Sequence, residues 1–103
     1  MRDLYIAGPM TGVENFNYDA FNKAAAFLRS LDFTVYNPAE NFGGDQSLRW
    51  QTYLRLAVKQ VADSYALVLL PGWKTSKGAR LEHFIAQELG LPINLLEDYN
   101  GGA

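Results

Sequence analysis

The sequence predicts a single α/β domain in which a parallel sheet is flanked by helices. Short apolar runs that stop at Gly or Pro alternate along the chain with segments whose apolar residues recur every three or four positions. The run at residues 66–70 is apolar at every position, which is typical of a strand buried on both faces of a parallel sheet. With 103 residues, of which 49% are hydrophobic, the chain has material for one core and one domain, residues 1–103.

The amino-terminal half supplies two predicted strands and a helix. Residues 4–7 form a short apolar run that ends at Gly8-Pro9, which indicates a buried first strand. Residues 18–31 place their apolar side chains on one helical face. The β-branched and aromatic run 33–36 ends at Asn37-Pro38 and predicts a second strand, after which we expect a loop at residues 39–47.

The carboxyl-terminal half continues the alternation. A helix is predicted to stop at Gly90, with Pro92 just beyond it. The order β-α-β-α-β-α-β implies right-handed crossovers, and hence a Rossmann/flavodoxin-like sheet of four to five parallel strands. The predicted elements are a helix at 48–63, a strand at 66–70, a helix at 78–89, a strand at 93–96 and a frayed tail at 99–103.

Composition excludes several classes of function. A net charge of −2 gives no basic surface for a nucleic-acid polymer. The chain has no Cys and a single His, so disulfides, thiolate metal sites and His-rich metal sites are excluded. No apolar run approaches the roughly 20 residues of a membrane span, and the amino terminus lacks a signal-peptide pattern. We therefore expect a cytoplasmic protein without a membrane partner.

Three loops are the candidate ligand-binding segments, because ligands of parallel sheets bind beyond the carboxyl ends of the strands. They are residues 8–12, 37–47 and 71–78. The first, Gly8-Pro9-Met10-Thr11-Gly12, matches neither common nucleotide-binding glycine pattern. It is either a tight connection or a place where backbone N–H groups approach an anion.

The segment around the start of the third helix has the strongest combination of polar groups. Thr75 and Ser76 are candidate helix caps, and the alternative is an anion site at the helix amino terminus, which Lys74 and Lys77 would suit. Glu82 falls near the first turn, where the helix dipole would keep its carboxylate ionised, as a nucleophile requires. The simpler role for Glu82 is a favourable charge at the helix start.

Several other side chains have two possible roles. Trp50 and Tyr53 lie on the apolar stripe of their helix, so we expect them in the core or in an interface. Tyr5 lies inside the first strand and is either a core residue or a hydroxyl that reaches the site. His83 neighbours Glu82 but points about 100° away around the helix, so we expect it at the surface or against a partner.

Several segments of the chain resemble those of the nucleoside 2-deoxyribosyltransferase superfamily, in particular its short phage-type branch. They are also similar to those of the related 2′-deoxynucleoside 5′-phosphate N-hydrolases. The resemblance covers nearly the whole chain, and its most specific part is the last stretch. The similar segments are Tyr5-Ile6-Ala7-Gly8-Pro9-Met10-Thr11-Gly12, Tyr36-Asn37-Pro38-Ala39-Glu40, Trp50 with Tyr53, Leu70-Pro71-Gly72-Trp73, and Ser76-x-Gly78-Ala79-Arg80-x-Glu82.

The resemblance implies that Glu82 attacks the anomeric carbon of a deoxyribose and that Tyr5 positions it. Ser76 stands where the transferases carry a base-handling Asp and the monophosphate hydrolases carry a Ser, which favours a nucleotide over a nucleoside as ligand. The resemblance also implies a homodimer or larger assembly, and a reaction that requires no metal or cofactor. The implied substrate-binding residues are Gly8, Pro9, Met10, Thr11, Gly12, Asn37, Pro38, Gly72, Trp73, Ser76, Gly78 and Arg80.

The chain departs from the superfamily at two acidic positions. Relatives usually carry an Asp in the second helix and an acid just before the third strand, where this chain has Ala57 and Tyr65. Asp63 is the nearest acid that would substitute as a catalytic residue. The alternatives are therefore a glycosidase or transferase, a nucleotide-binding module that cleaves nothing, and a purely structural or interaction domain.

Overall fold

The computed structural model describes residues 3–100 as a sheet of parallel strands with helices on both faces. Within these residues, a short 3-10 segment also follows each strand. The strands are β1 Asp3–Ala7, β2 Thr34–Tyr36, β3 Ala66–Leu69 and β4 Ile93–Leu95, and the helices are α1 Tyr18–Ser30, α2 Trp50–Asp63 and α3 Lys77–Glu88.

The sheet has the strand order β2-β1-β3-β4, and every neighbouring pair is parallel. The chain passes from β1 outward to β2 and then returns across β1 to form β3 on its other side. The strand order therefore reverses between β1 and β3, and the loops that leave these two strands diverge there. In open parallel sheets this is the crevice in which ligands bind.

Each face of the sheet has its own hydrophobic cluster, because side chains alternate along a strand. Leu4 and Ile6 of β1 pack with Phe21 and Leu28 of α1 on one face. On the other face, Tyr5 packs in the cluster that also includes Val61 of α2 and Ala86 of α3. Tyr5 therefore faces α2 and α3, the helices that carry the candidate catalytic residues Asp63 and Glu82.

The predicted fold class is confirmed, with four strands. The element bounds lie within one or two residues of those expected, and the predicted loop at 39–47 contains the short helical segment Pro38–Gly44. The prediction of a frayed tail is wrong at Tyr99, whose ring packs edge-on against Phe33 at 5.5 Å and whose hydroxyl accepts a hydrogen bond from Asn94 at 2.9 Å. Asn100 also donates a backbone hydrogen bond to Glu97 at 3.1 Å, and residues 101–103 of that tail lie outside the described residues.

Candidate functional site

The best-defined polar contact in the interior joins Tyr5 of β1 to Glu82 of α3. The Tyr5 hydroxyl donates a 2.7 Å hydrogen bond to Oε2 of Glu82. Tyr5 is fully buried, and Glu82 has only 9% of its surface exposed. A buried carboxyl that is held by one hydroxyl and lines a cavity is a candidate functional group rather than a surface charge.

Burial raises the pKa of Glu82 from 4.5 to about 7, and the hydrogen bond from Tyr5 lowers it in part. Burial, together with the nearby Glu82 charge and the hydrogen bond to it, raises the pKa of Tyr5 well above its ordinary value. The expected effect of the helix dipole on Glu82 is therefore wrong. Glu82 is the sixth residue of α3, beyond the first turn where the dipole acts, and desolvation dominates.

The loop after β1 approaches the following strand so closely that only Gly fits at its start. A Cβ on Gly8 would lie 2.8 Å from Cβ of Leu70, which is shorter than real carbon contacts allow. Gly8, Met10 and Thr11 then line the cavity. Farther along, Asn17 fixes the loop by donating a hydrogen bond from Nδ2 to the carbonyl of Pro9 at 2.9 Å.

The amino terminus of α3 forms a second side of the cavity. Ser76 is the helix cap and accepts a 3.2 Å hydrogen bond from the backbone N–H of Ala79 at Oγ. Ser76, Lys77 and Gly78 all line the cavity as well, so the capping role and contact with a ligand are compatible. Nζ of Lys77 lies 4.7 Å from the centroid of the Trp50 ring, a cation–π contact that joins the starts of α2 and α3.

An aromatic wall completes the cavity. Trp50 and Tyr53 line it from the first turn of α2, so the expectation that they are only core or interface residues is wrong. The Tyr53 hydroxyl holds the preceding loop, because it donates to the carbonyl of Asp45 at 2.5 Å and accepts from the N–H of Leu48 at 3.0 Å. The other apolar or aromatic wall residues that sequence reasoning missed are Phe16, Tyr18, Phe21, Leu48, Leu54 and Ala57.

The cavity has a volume of about 560 Å³, which lies within the range of small-molecule sites. Its walls come from the loops after β1, β2 and β3 and from the starts of α1, α2 and α3. The predicted site residues that line it are Tyr5, Gly8, Met10, Thr11, Pro38, Ser76, Gly78 and Glu82.

The structure does not bring the remaining candidates to the cavity wall. Asp63 is exposed at the carboxyl-terminal end of α2, whereas the cavity contacts the beginning of that helix. Buried Asn37 uses its side chain locally, accepting from the N–H of Ala39 at 3.0 Å and donating to Asn22 at 2.9 Å. The other predicted residues outside the wall are Pro9, Gly12, Gly72, Trp73 and Arg80.

Trp73 and His83 form a separate contact. Their rings stack with centroids 4.6 Å apart and planes 18° apart, so the half-buried His83 packs within its own chain instead of extending from the surface. Nζ of Lys74 lies 5.9 Å from the Trp73 ring, so Lys74 belongs to this contact. Lys77, in contrast, lines the cavity. Among residues 3–100, no three His, Asp or Glu side chains lie close enough together to hold a metal ion.

The fold and the cavity define a class: a small parallel α/β domain with a ligand-sized cavity where its strand order reverses. The chain belongs to the family described as a domain of unknown function (DUF4406), whose family model matches residues 2–95. No curated protein matches the chain significantly. No helix among the described residues is long and apolar enough to cross a membrane.

Proposed function

We propose that this domain cleaves the bond between base and sugar in 2′-deoxynucleotides, with Glu82 as the nucleophile. The observation that carries the proposal is the buried Glu82 carboxyl, held by the Tyr5 hydroxyl at 2.7 Å beside a cavity of nucleotide size. The resemblance in the segments around Tyr5, Ser76 and Glu82 supports the same assignment. A buried carboxyl facing an aromatic cavity suits a sugar whose base stacks on the wall.

The reaction proceeds in two displacements. A carboxylate oxygen of Glu82 attacks C1′ of the deoxyribose, and the C1′–N bond breaks with its electron pair leaving on the base. The resulting ester holds the sugar on Glu82. A water molecule then attacks C1′, the ester bond breaks to restore the carboxylate, and a proton passes to solvent. A second base that attacks in place of water would make the same site a transferase.

A 5′-monophosphate is the proposed form of the substrate. Ser76, Lys77 and Gly78 line the cavity at the start of α3, where free N–H groups and the helix dipole favour an anion. One charge-assisted hydrogen bond contributes roughly 1.5–3 kcal/mol, so the monophosphate should bind about tenfold or more tightly than its nucleoside.

Ser76→Asp should erode this preference, because it sets a carboxylate against the phosphate, whereas Ser76→Thr keeps the capping hydroxyl and serves as control. Calorimetric titration of matched nucleoside and monophosphate pairs measures the difference. Equal affinities in the parent protein would mean that Ser76 is only a helix cap.

Base release tests the activity itself. The protein is incubated with a panel of 2′-deoxynucleosides and their 5′-monophosphates, and free base is separated by chromatography. Glu82→Gln should lower release by several orders of magnitude, because it removes the nucleophile and keeps the shape. Glu88→Gln, the same change at an exposed position of the same helix, should leave it unchanged.

A nucleotide-binding module without catalysis is the second candidate. One observation favours it: Glu82 is the sole carboxyl among the described cavity-lining residues, whereas glycoside hydrolysis typically uses a pair. If calorimetry shows that nucleotides bind tightly, and none of them releases its base, the binding module replaces the glycosidase as the proposed function.

A further inference from the structure

The cavity contains fewer acid–base groups than a typical glycosyl-transfer site. Such sites use one carboxyl as the nucleophile and another to protonate the leaving group. Of the Asp, Glu and His side chains in residues 3–100, Glu82 alone lines the cavity. Residues 1–2 and 101–103 add no acidic side chain to the sequence.

Two titratable groups next in sequence to cavity-lining residues are already engaged elsewhere. The Asp45 carboxylate accepts hydrogen bonds from the N–H and hydroxyl of Ser47 at 2.8 and 2.6 Å, and these bonds lower its pKa. His83 stacks on Trp73, away from the wall. Neither side chain is placed to protonate a departing base.

The cavity's own hydroxyl and ammonium groups are poor replacements for a second carboxyl. The Tyr5 hydroxyl is committed to Glu82, and burial raises the pKa of Tyr18, which makes it a weaker acid. Lys77 is exposed, and its ammonium group lies over the ring of Trp50, which lines the cavity. Efficient general acids have pKa values near the working pH, and burial moves the pKa values of both tyrosine hydroxyls further above it.

We infer that the base leaves this site as an unprotonated anion, so that the site selects nucleotides whose base is a stable anion: uracil-type pyrimidines, most of all those with an electron-withdrawing substituent at C5. The inference rests on the proposed function and specifies its substrate class. The electron pair of the C1′–N1 bond passes to N1 and is delocalised over the two ring carbonyls. The free anion then takes a proton from water. Adenine, guanine and cytosine depart less readily without protonation.

A leaving-group series tests the inference. The 5′-monophosphates of 5-fluoro-2′-deoxyuridine, 2′-deoxyuridine, thymidine and 2′-deoxycytidine are compared by kcat/KM for base release. This parameter reports the first irreversible step, before the common sugar ester is hydrolysed. The fluoro and hydrogen substrates are close in size, so their ratio isolates electronic effects.

We expect kcat/KM to fall in that order, by roughly tenfold for each unit by which the pKa of the departing base rises. Comparable values for the fluoro and hydrogen substrates, or faster release of cytosine than of uracil, would overturn the inference while leaving the proposed function standing. Absence of release from the fluoro substrate, together with all the others, would instead remove the proposed function.

Lys77→Met supplies a second measurement. It removes the cavity's ammonium group and should lower kcat/KM for all the monophosphates without changing its dependence on the leaving base. A steeper dependence in the variant would show that Lys77 protonates the base, which contradicts the inference. Tyr18→Phe is compared in the same way for the hydroxyl at that position.

Discussion

At the scale of single residues, the proposed reaction depends on the ionisation of Glu82. Its pKa of about 7 means that the ligand-free protein holds a mixture of carboxyl and carboxylate near neutral pH. Only the carboxylate can attack C1′. A protonated Glu82 acting as an acid would give the opposite pH dependence, so pH distinguishes the two roles.

The first prediction concerns this dependence and the part of Tyr5 in it. For the parent protein, kcat/KM should rise with pH and level off above about 7. Tyr5→Phe removes the hydrogen bond that lowers the pKa of Glu82, so the rise should move to higher pH. Tyr18→Phe, which removes a hydroxyl near Tyr53 and Asp45, should leave the position of the rise unchanged. A profile that falls as pH increases through 7 would contradict the nucleophile.

The second prediction follows from the same pKa through its effect on folding. In the unfolded chain Glu82 ionises near 4.5, but in the folded protein only near 7, so ionisation favours unfolding. Stability is therefore lost as pH rises from 4.5 through 7. Glu82→Gln avoids this loss and should be more stable than the parent above pH 7, by up to about 3 kcal/mol.

Denaturant titration of both proteins below pH 4.5 and above pH 7 measures the difference. The two stabilities should converge at the lower pH, where Glu82 is neutral in both folded and unfolded states. Glu88→Gln should show no such pH-dependent gain. A Glu82→Gln variant that is less stable than the parent at high pH would show that the buried carboxylate is well solvated or paired.

At the scale of elements, strand ends and helix starts create the site. The loops that follow β1 and β3 and the first turns of α2 and α3 surround one cavity because the strand order reverses between β1 and β3. The loop after β1 packs closely against the end of β3. Among the described glycines, Gly8 leaves the least room for a side chain.

The third prediction tests this close approach with one substitution at two positions. Gly8→Ala places a Cβ 2.8 Å from the buried side chain of Leu70 and should cost about 1–3 kcal/mol of stability. Gly78→Ala brings its Cβ no closer than 3.9 Å to Trp50, so it should be neutral or slightly stabilising within α3. Thermal unfolding compares the stabilities of the two variants. Equal effects would show that the loop after β1 shifts to accommodate the added Cβ at little cost.

Much of the element order could be predicted because each strand and helix carries its own hydrophobic pattern. The 66–70 run and the 18–31 periodicity identify β3 and α1 without any tertiary information. The Pro38–Gly44 segment was missed because it includes residues at left-handed or extended angles, such as Phe42 and Asn41, that no periodicity marks.

The site was predictable only in part. Tyr5 and Glu82 are 77 positions apart, and the resemblance, rather than spacing, links them. Phe21 and Tyr53 sit on apolar stripes that look like ordinary core, and only the meeting of loops decides that they border a cavity. The raised pKa of Glu82 also comes from tertiary burial, which local sequence does not encode.

At the scale of the whole molecule, the aromatic side chains of the second and third helices and of the loop between β3 and α3 bear on self-association. Two of them are covered within the chain, because Tyr53 packs edge-on against Phe42 and Trp73 stacks on His83. Phe84 on α3 remains 58% exposed and Trp50 on α2 37% exposed. We therefore predict self-association through the second or third helix, at these two side chains.

The fourth prediction is a two-fold symmetric pair of chains formed through this surface. Phe84→Ser should weaken the pair, because it removes exposed apolar area from α3. Leu31→Ser, which changes an exposed apolar residue just after α1, should not, since α1 covers the opposite face of the sheet. Light scattering that finds only monomer for the parent at micromolar concentration would refute it.

In the proposed reaction Glu82 carries the sugar between the two displacements, and direct capture of that ester tests this role most directly. A 2′-fluoro-arabino analogue of a deoxyuridine 5′-monophosphate slows both steps, because fluorine destabilises the oxocarbenium-like transition states. Mass spectrometry of the quenched and digested protein should then find the fluorinated sugar phosphate on the peptide that contains Glu82, and no adduct in Glu82→Gln. Base release by the parent protein from this analogue, with the sugar found on another residue or on none, would contradict the account.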